Sequence, residues 1–267
     1  MIVAGCDVGS LTSKAVILNN RNMLSHAVAR STFRPDQSAR AVMDRALSVA
    51  GIGMDQVRCC VGTGYGREKI PFVDKVYSEI ACHARGARHL MPSVHTVIDI
   101  GGQDCKAIRL DDAGAVVKFV TNDKCAAGTG RFLDVMARLL GVDLDELGRL
   151  SAQAQAPLSL ASTCTVWAQA EVIHHLNENT PIAEIAAAVN QAMAGRVAIL
   201  ARSAGLEREV CMTGGVAKNT GVLIHLEKLL DVRIRRLRID PQIVGALGAA
   251  LYAQDNTGGA SDDRSRL

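Results

Sequence analysis

The 267-residue chain is long enough for two domains or one large one, and its 48% hydrophobic, 21% charged composition excludes disorder for most of its length. Lys and Arg number 30 against 27 Asp and Glu, and aromatic residues make up only 3%, so neither charge nor base stacking favours nucleic-acid binding. We see no secretory leader and no apolar stretch of about 20 residues, so we expect a cytoplasmic protein without a membrane span.

Apolar runs and helical spacing predict the elements of the first 92 residues. The first run ends at Asp7-Val8-Gly9, which predicts a strand followed by a tight turn, and a helix further on stops at Gly51. The predicted elements are strands at 2–6, 15–18, 24–29 and 57–61 and helices at 38–50 and 74–90.

The opening pattern recurs 92 residues later. Asp7-Val8-Gly9 followed by Lys14-Ala15 is echoed by Asp99-Ile100-Gly101 followed by Lys106-Ala107. A third strand near 115–120 follows the second copy, as one follows the first. The alternative is that two apolar strands resemble each other by chance, but Asp, Gly, Lys and Ala recur at the same relative positions in both copies. The pattern therefore favours a duplicated α/β fold with a cleft between two lobes.

The second half of the chain is mainly helical. A strand near 209–213 runs into Gly214-Gly215, and Pro241 is suited to start the last helix. We expect lobe I at 1–92, joined by the C-terminal helix at 241–253, lobe II at 93–240, and a disordered tail at 254–267. The predicted helices are 129–140, 143–150, 164–177, 181–204, 218–230 and 241–253.

Glycine turns after strands predict a nucleotide site. Each Asp-x-Gly turn places a carboxylate beside backbone that can approach an anion closely. Two such turns are suited to bind a polyphosphate with Mg²⁺ held by Asp7 and Asp99. The alternative is that Asp and Gly occur here only because they favour tight turns. No GxxxxGK[ST] motif is present, which excludes a P-loop NTPase. The residues expected to contact ATP or ADP are Gly9, Ser10, Ser13, Lys14, Gly101, Gly102, Lys106, Gly214, Gly215, Val216 and Asn219.

Six stretches carry more specific motifs, at 78–83, 99–104, 122–131 (NDKCAAGTGR), 162–166 (STCTV), 214–219 (GGVAKN) and 245–251. Together they resemble the ATPase activators of 2-hydroxyacyl-CoA dehydratases and the related ATPase subunits of benzoyl-CoA reductases. The resemblance implies the actin/Hsp70/hexokinase fold, with paired ribonuclease-H-like lobes. It also implies ATP hydrolysis, with Asp7 and Asp99 holding Mg²⁺ and Gln103 or Asp104 orienting the attacking water.

The resemblance also gives two of the eight cysteines a role, since Cys125 and Cys164 lie in its motifs. We expect both at helix N-termini, where the dipole lowers a thiol pKa and favours the thiolate. A [4Fe–4S] cluster takes four thiolates, so the resemblance implies one cluster shared by a homodimer. Judged without the resemblance, ordinary burial is the stronger alternative for both. The other six cysteines and Trp167 are assigned to packing, with an interface role open for Cys82 and Trp167.

The implied function is an electron donor driven by ATP, reduced by ferredoxin or flavodoxin and docking on a dehydratase or a reductase. The segment after Cys164 departs from the family pattern, since Trp167-Ala-Gln-Ala-Glu171 replaces Phe-Ala-Glu-Ser-Glu. That difference leaves the partner open between a 2-hydroxyacyl-CoA dehydratase, a benzoyl-CoA-type reductase and another low-potential reductase. A small-molecule kinase of the same fold and a non-enzymatic nucleotide sensor remain the alternatives from other classes.

Overall fold

The computed structural model describes residues 1–122, 125–156, 158–161 and 164–258. The helices are Pro35–Ala50 (α1), Glu79–Leu90 (α2), Gly130–Leu140 (α3), Leu144–Ser151 (α4), Thr165–Asn177 (α5), Ile182–Ala204 (α6), Thr220–Leu230 (α7) and Val244–Gly258 (α8). The strands are Ile2–Val8 (β1), Thr12–Asn19 (β2), Asn22–Arg30 (β3), Cys60–Thr63 (β4), Lys75–Val76 (β5), Thr96–Ile100 (β6), Cys105–Leu110 (β7), Val116–Asn122 (β8), Val210–Thr213 (β9) and Ile234–Arg235 (β10). In this part of the chain, no helix combines the length and apolar character needed to cross a membrane.

The chain divides into two compact units. Unit 1 comprises Met1–Ser93, Ala113–Val116 and the chain from Leu237 onward, and unit 2 comprises Val94–Asp112 and Val117–Arg236. Each unit contains one five-stranded sheet, and each is described by itself below.

The sheet of unit 1 has the order β3-β2-β1-β4-β5. Strand β1 pairs antiparallel with β2 and parallel with β4. Successive side chains of a strand point to opposite faces, so Val3 packs in a cluster with α8, whereas Ala4 and Cys6 pack in a second cluster with α1. Apolar layers on both faces explain why β1 reads as a continuous hydrophobic run.

The sheet of unit 2 has the order β10-β9-β6-β7-β8, which is the same topology with β6 in the place of β1. Strand β6 pairs antiparallel with β7 and parallel with β9. Helices α3 to α7 supply most of a single large core around Phe132, Leu133, Met136 and Val189. The matching strand orders confirm the predicted duplicated α/β fold.

Several predicted boundaries differ from the structure by a few residues. The strand expected at 57–61 is Cys60–Thr63. The helix expected from residue 74 begins at Glu79, because the Ser78 side chain caps it by accepting a hydrogen bond from the Ala81 amide, and an edge strand precedes it. The last helix continues through Gly258, five residues into the expected tail, and residues 259–267 lie outside the described residues.

Candidate functional site

The second Asp-x-Gly turn is built on three neighbouring strands of unit 2. Asp99 near the end of β6 lies opposite Lys106 on β7 and Thr213 on β9. The Thr213 hydroxyl donates a hydrogen bond to Asp99 Oδ1 at 2.8 Å, and Lys106 Nζ lies 3.5 Å from Asp99 Oδ2. Lys106 Nζ also lies 2.6 Å from Oδ2 of Asp104. Asp99 and Lys106 are buried, where water screens charges only weakly. The Lys106 ammonium group therefore compensates the negative charges of Asp99 and Asp104.

The first Asp-x-Gly turn repeats this arrangement in unit 1. Asp7 lies opposite Lys14 on β2 and Thr63 on β4, and Lys14 Nζ is 3.2 Å from Asp7 Oδ2. One contact differs, because the Thr63 hydroxyl donates to the carbonyl of Tyr77 at 3.0 Å. The two copies therefore share an Asp–Lys pair and a threonine position, but the threonine hydroxyl donates to the aspartate in unit 2 and to a backbone carbonyl in unit 1.

A glycine with positive φ follows each threonine. Gly64 has φ +93°, and a Cβ there would lie 2.4 Å from Asp7 Oδ1. Gly214 has φ +83°, and a Cβ there would lie 2.9 Å from Asp99 Oδ1. Glycine is required at both positions for the backbone conformation and for the approach to the carboxylate. Gly214 was singled out from the sequence but Gly64 was not, because the two Thr-Gly pairs are 150 residues apart and not the 92 of the Asp and Lys positions.

The two turns use their first glycine amides internally. Gly9 N–H donates to the Thr12 carbonyl at 3.1 Å, and Gly101 N–H donates to the Asp104 carbonyl at 2.9 Å. The structure thus gives both amides a place in the turn hydrogen bonds, whereas we expected them to face phosphate. Ser13 is fully buried, with its hydroxyl 2.8 Å from the hydroxyl of Ser31.

The other residues that were predicted to lie at the nucleotide site differ in their exposure to solvent. Gln103 is exposed beside the second turn, and the Val216 side chain is buried in the core of unit 2. Asn219 caps α7 by accepting a hydrogen bond from the Val222 amide at 3.0 Å, and its Nδ2 donates to Asn190 Oδ1 at 3.1 Å. Contacts of these residues with a nucleotide stay predictions.

The eight cysteines fall into two groups. Cys125 and Cys164 are exposed, whereas the other six are buried. Burial raises the pKa of all six, and it raises the pKa of Cys82 and Cys211 to about 12, with nearby carboxylates adding to the effect. Buried thiols with raised pKa values stay protonated at neutral pH, and a metal ligand must be a thiolate. The six assigned to packing therefore have the environment expected of them.

Cys125 lies in a loop and not at a helix N-terminus, because α3 begins at Gly130, five residues later. The Asn122 side chain holds the loop: its Nδ2 donates to the carbonyls of Cys125 and Ala127 at 3.1 Å each, and its Oδ1 accepts from the Cys125 amide at 3.3 Å. Cys164 is the N-cap residue of α5, as expected. Residues 123, 124, 162 and 163, which flank both cysteines, lie outside the described residues.

The start of α5 carries an exposed apolar pair. Val166 and Trp167 are each 68% exposed, which excludes the core position for Trp167 and leaves the interface role open. Across the described ranges, no group of three or more His, Cys, Asp or Glu could hold a metal ion.

Comparisons with known proteins agree with this geometry. The model of the BadF/BadG/BcrA/BcrD ATPase family matches residues 4–253. The chain is 44% identical over 255 residues to the 2-hydroxyisocaproyl-CoA dehydratase activator of Clostridioides difficile, covering 96% of both proteins. It is 46% identical to the activator of lactoyl-CoA dehydratase of Anaerotignum propionicum, covering 96% of the chain and 98% of that protein.

A solved structure matches equally well. The activator of the 2-hydroxyisocaproyl-CoA dehydratase from Clostridium difficile with bound ADPNP superimposes with a TM-score of 0.94 and 42% sequence identity, covering 98% of both chains. The fold predicted from the duplicated motif is thus one that a nucleotide-bound protein adopts.

Proposed function

Because the chain belongs to the BadF/BadG/BcrA/BcrD ATPase family, we propose that it is an ATP-hydrolysing iron–sulfur electron donor that activates a 2-hydroxyacyl-CoA dehydratase. One observation carries the proposal: the chain is 44–46% identical to two dehydratase activators over nearly its full length. Ferredoxin or flavodoxin would supply the electron, and the dehydratase would receive it.

The ATPase part of the proposal is supported by the two turns. Mg²⁺ prefers oxygen ligands, and Asp7 and Asp99 each present a buried carboxylate beside a glycine turn. These carboxylates would hold Mg²⁺, whose positive charge would neutralise part of the phosphate charge. Lys14 and Lys106 compensate the negative charge of the two carboxylates and orient them, and the Thr213 hydroxyl fixes one oxygen of Asp99. Gln103 or Asp104 would orient the attacking water.

The electron-transfer part is supported by the exposed cysteines. Thiolates are the ligands of a [4Fe–4S] cluster, and Cys125 and Cys164 are the two cysteines that reach the surface. Two thiols fit half of a four-thiolate site, so two chains related by a two-fold axis would complete it. The exposed Val166 and Trp167 beside Cys164 supply apolar surface for that homodimer. The cluster, when bound, would hold one low-potential electron.

Hydrogen bonds within unit 2 connect the second turn to the cysteine loop. The amide of Gly130 donates to the Gly101 carbonyl at 2.8 Å, and that of Arg131 donates to the Gly102 carbonyl at 2.9 Å. A Cβ on Gly130 would lie 2.9 Å from the Gly101 oxygen, so this contact depends on glycine. Helix α3, which follows the Cys125 loop, thus starts directly on the turn. Loss of the γ-phosphate would move the turn, and this contact would pass the change to the loop.

Anaerobic purification tests the proposal. We expect a brown homodimer with about four iron and four acid-labile sulfide per two chains. Cys125→Ala and Cys164→Ala should each remove the iron and leave ATP affinity largely intact, because neither cysteine lies in a nucleotide turn. Cys59→Ala, a buried position outside both sites, is the matched control and should keep the iron. A colourless wild-type protein would contradict the proposal, as would a Cys125→Ala protein with full iron content.

A further inference from the structure

We infer that the Arg196 guanidinium is the positive charge that compensates the thiolates of Cys125 and Cys164 and stabilises the reduced form of the cluster they bind. The inference rests on the proposed function, since it concerns the cluster that the two cysteines would share. It adds a residue that contains no sulfur, lies outside every motif of the sequence and is 32 positions beyond Cys164.

The side chain of Arg196 is held at the start of α3. It projects from α6, and its Cζ lies 5.2 Å from the ring centroid of Phe132, which is fully buried in the first turn of α3. A guanidinium over an aromatic face is attracted by the negative face of the ring. This contact fixes the position of the charge beside the helix that follows the Cys125 loop.

The loop itself packs on the stem of Arg196. Gly128 has φ +86°, and a Cβ at this position would lie 3.4 Å from Arg196 Cβ and 3.7 Å from its Cδ. The same Cβ would lie 3.7 Å from Nδ2 of Asn122, the side chain that binds the Cys125 backbone. The Cys125 loop therefore lies between the Asn122 side chain, which binds its backbone, and Arg196, which supplies a positive charge.

The electrostatic environment of the Arg196 guanidinium includes both cysteines. Burial lowers the Arg196 pKa, and the negative charges of Cys125 and Cys164 counteract that effect. The two cysteines are 39 residues apart in sequence. Helices α3, α5 and α6 pack against one another, which explains how all three residues lie in one region of unit 2.

The chemical consequence concerns the reduction potential. Reduction adds one negative charge to a cluster whose thiolate ligands are already anionic, and a nearby cation favours the reduced form. In a homodimer, each chain would contribute one Arg196. Removing the charge should therefore shift the midpoint potential to more negative values without removing any ligand.

The test compares reduction midpoints of the holo-dimer, measured by redox titration of the visible and electron paramagnetic resonance signals. Arg196→Met and Arg196→Gln remove the charge, and Arg196→Lys keeps it. Arg138→Met is the matched control, because Arg138 is exposed on α3 and its side chain bonds the Asp134 carbonyl of its own helix. Iron content and melting temperature of each variant are measured alongside.

At a fixed potential, we expect the reduced-to-oxidised ratio to fall at least tenfold in both neutral variants, which corresponds to about 59 mV for a one-electron couple. Arg196→Lys and the control should change the ratio less than about threefold. Neutral variants that lose iron which Arg196→Lys retains would also support the inference. A full cluster with an unchanged potential in Arg196→Met would overturn it. Equal effects in all three variants, whether on potential or iron, would overturn it as well. A wild-type protein without iron would instead refute the proposed function, and the inference with it.

Discussion

The hydrogen bond from Thr213 to Asp99 allows a quantitative prediction about ATP hydrolysis. Thr213→Val keeps the shape of the side chain and removes the hydroxyl that donates to Asp99 Oδ1 at 2.8 Å. Hydrogen bonds to charged groups contribute about 1.5–3 kcal/mol, and about 1.36 kcal/mol corresponds to a tenfold change in rate. If the bond holds the carboxylate in its Mg²⁺-binding orientation, kcat for ATP hydrolysis should fall roughly 10- to 150-fold.

The duplicated fold offers a matched control for this change. Thr63 occupies the equivalent position in unit 1, but its hydroxyl donates to the Tyr77 carbonyl and not to Asp7. Thr63→Val should lower the free energy of unfolding by about 0.5–1.5 kcal/mol, the usual contribution of a neutral hydrogen bond. Its kcat should remain within about threefold of wild type, because the Asp7 carboxylate keeps its contacts.

Steady-state phosphate release from the holo-dimer, at saturating ATP and Mg²⁺, measures both variants. Circular dichroism and iron content establish that each variant is folded and loaded. Equal reductions of kcat in the two variants, or a Thr213→Val enzyme with wild-type kcat, would show that the threonine does not orient Asp99.

Three further outcomes follow from the structure. Asp99→Asn should stop ATP turnover and leave the visible spectrum of the cluster unchanged, since Asp99 is no cluster ligand; continued turnover would refute its metal role. Iodoacetamide should modify only Cys125 and Cys164 of the folded, cluster-free protein at neutral pH, because burial raises the pKa of the other six thiols; mass spectrometry showing a third modified cysteine would contradict this. Gly248→Ala should lower the free energy of unfolding by about 1–3 kcal/mol or more, because the added Cβ would clash with the carbonyl oxygen of Cys82. Gly195→Ala should raise it by about 0.5–1 kcal/mol, because the space around Gly195 is open. Chemical denaturation measures both, and changes of the same sign would count against the packing described.

The duplication could be predicted because its signal is periodic and local. The Asp and Lys of each copy are seven residues apart, a spacing that a tight turn between two strands places in register. The Thr-Gly pairs at 63–64 and 213–214 were not matched, because the fourth strand was expected at 57–61 and its true end fell beyond that prediction. The two pairs are also 150 residues apart, and not the 92 of the Asp and Lys positions, so a search at the offset of the duplicated motif does not match them.

The environment of the cysteines was only partly predictable. The family motifs distinguished Cys125 and Cys164 from the other six, and these two are the exposed ones. The start of α3 was predicted to within one residue. Cys125 was wrongly expected at that helix N-terminus, because Gly128 with its positive φ and the Asn122 side chain together form a loop that helical spacing does not reveal. Arg196 could not be predicted, since only the packing of three helices brings it to this loop.

ATP-dependent oxidation of the reduced protein tests the central claim most directly. The reduced holo-dimer is mixed anaerobically with a purified 2-hydroxyacyl-CoA dehydratase, and the visible absorption of the cluster is followed with and without Mg²⁺ and ATP. We predict rapid oxidation with ATP and little oxidation without it, and no acceleration by ATP in the Asp99→Asn variant. Oxidation at one rate in all three reactions would contradict the claim that ATP hydrolysis drives the electron from this protein to its partner.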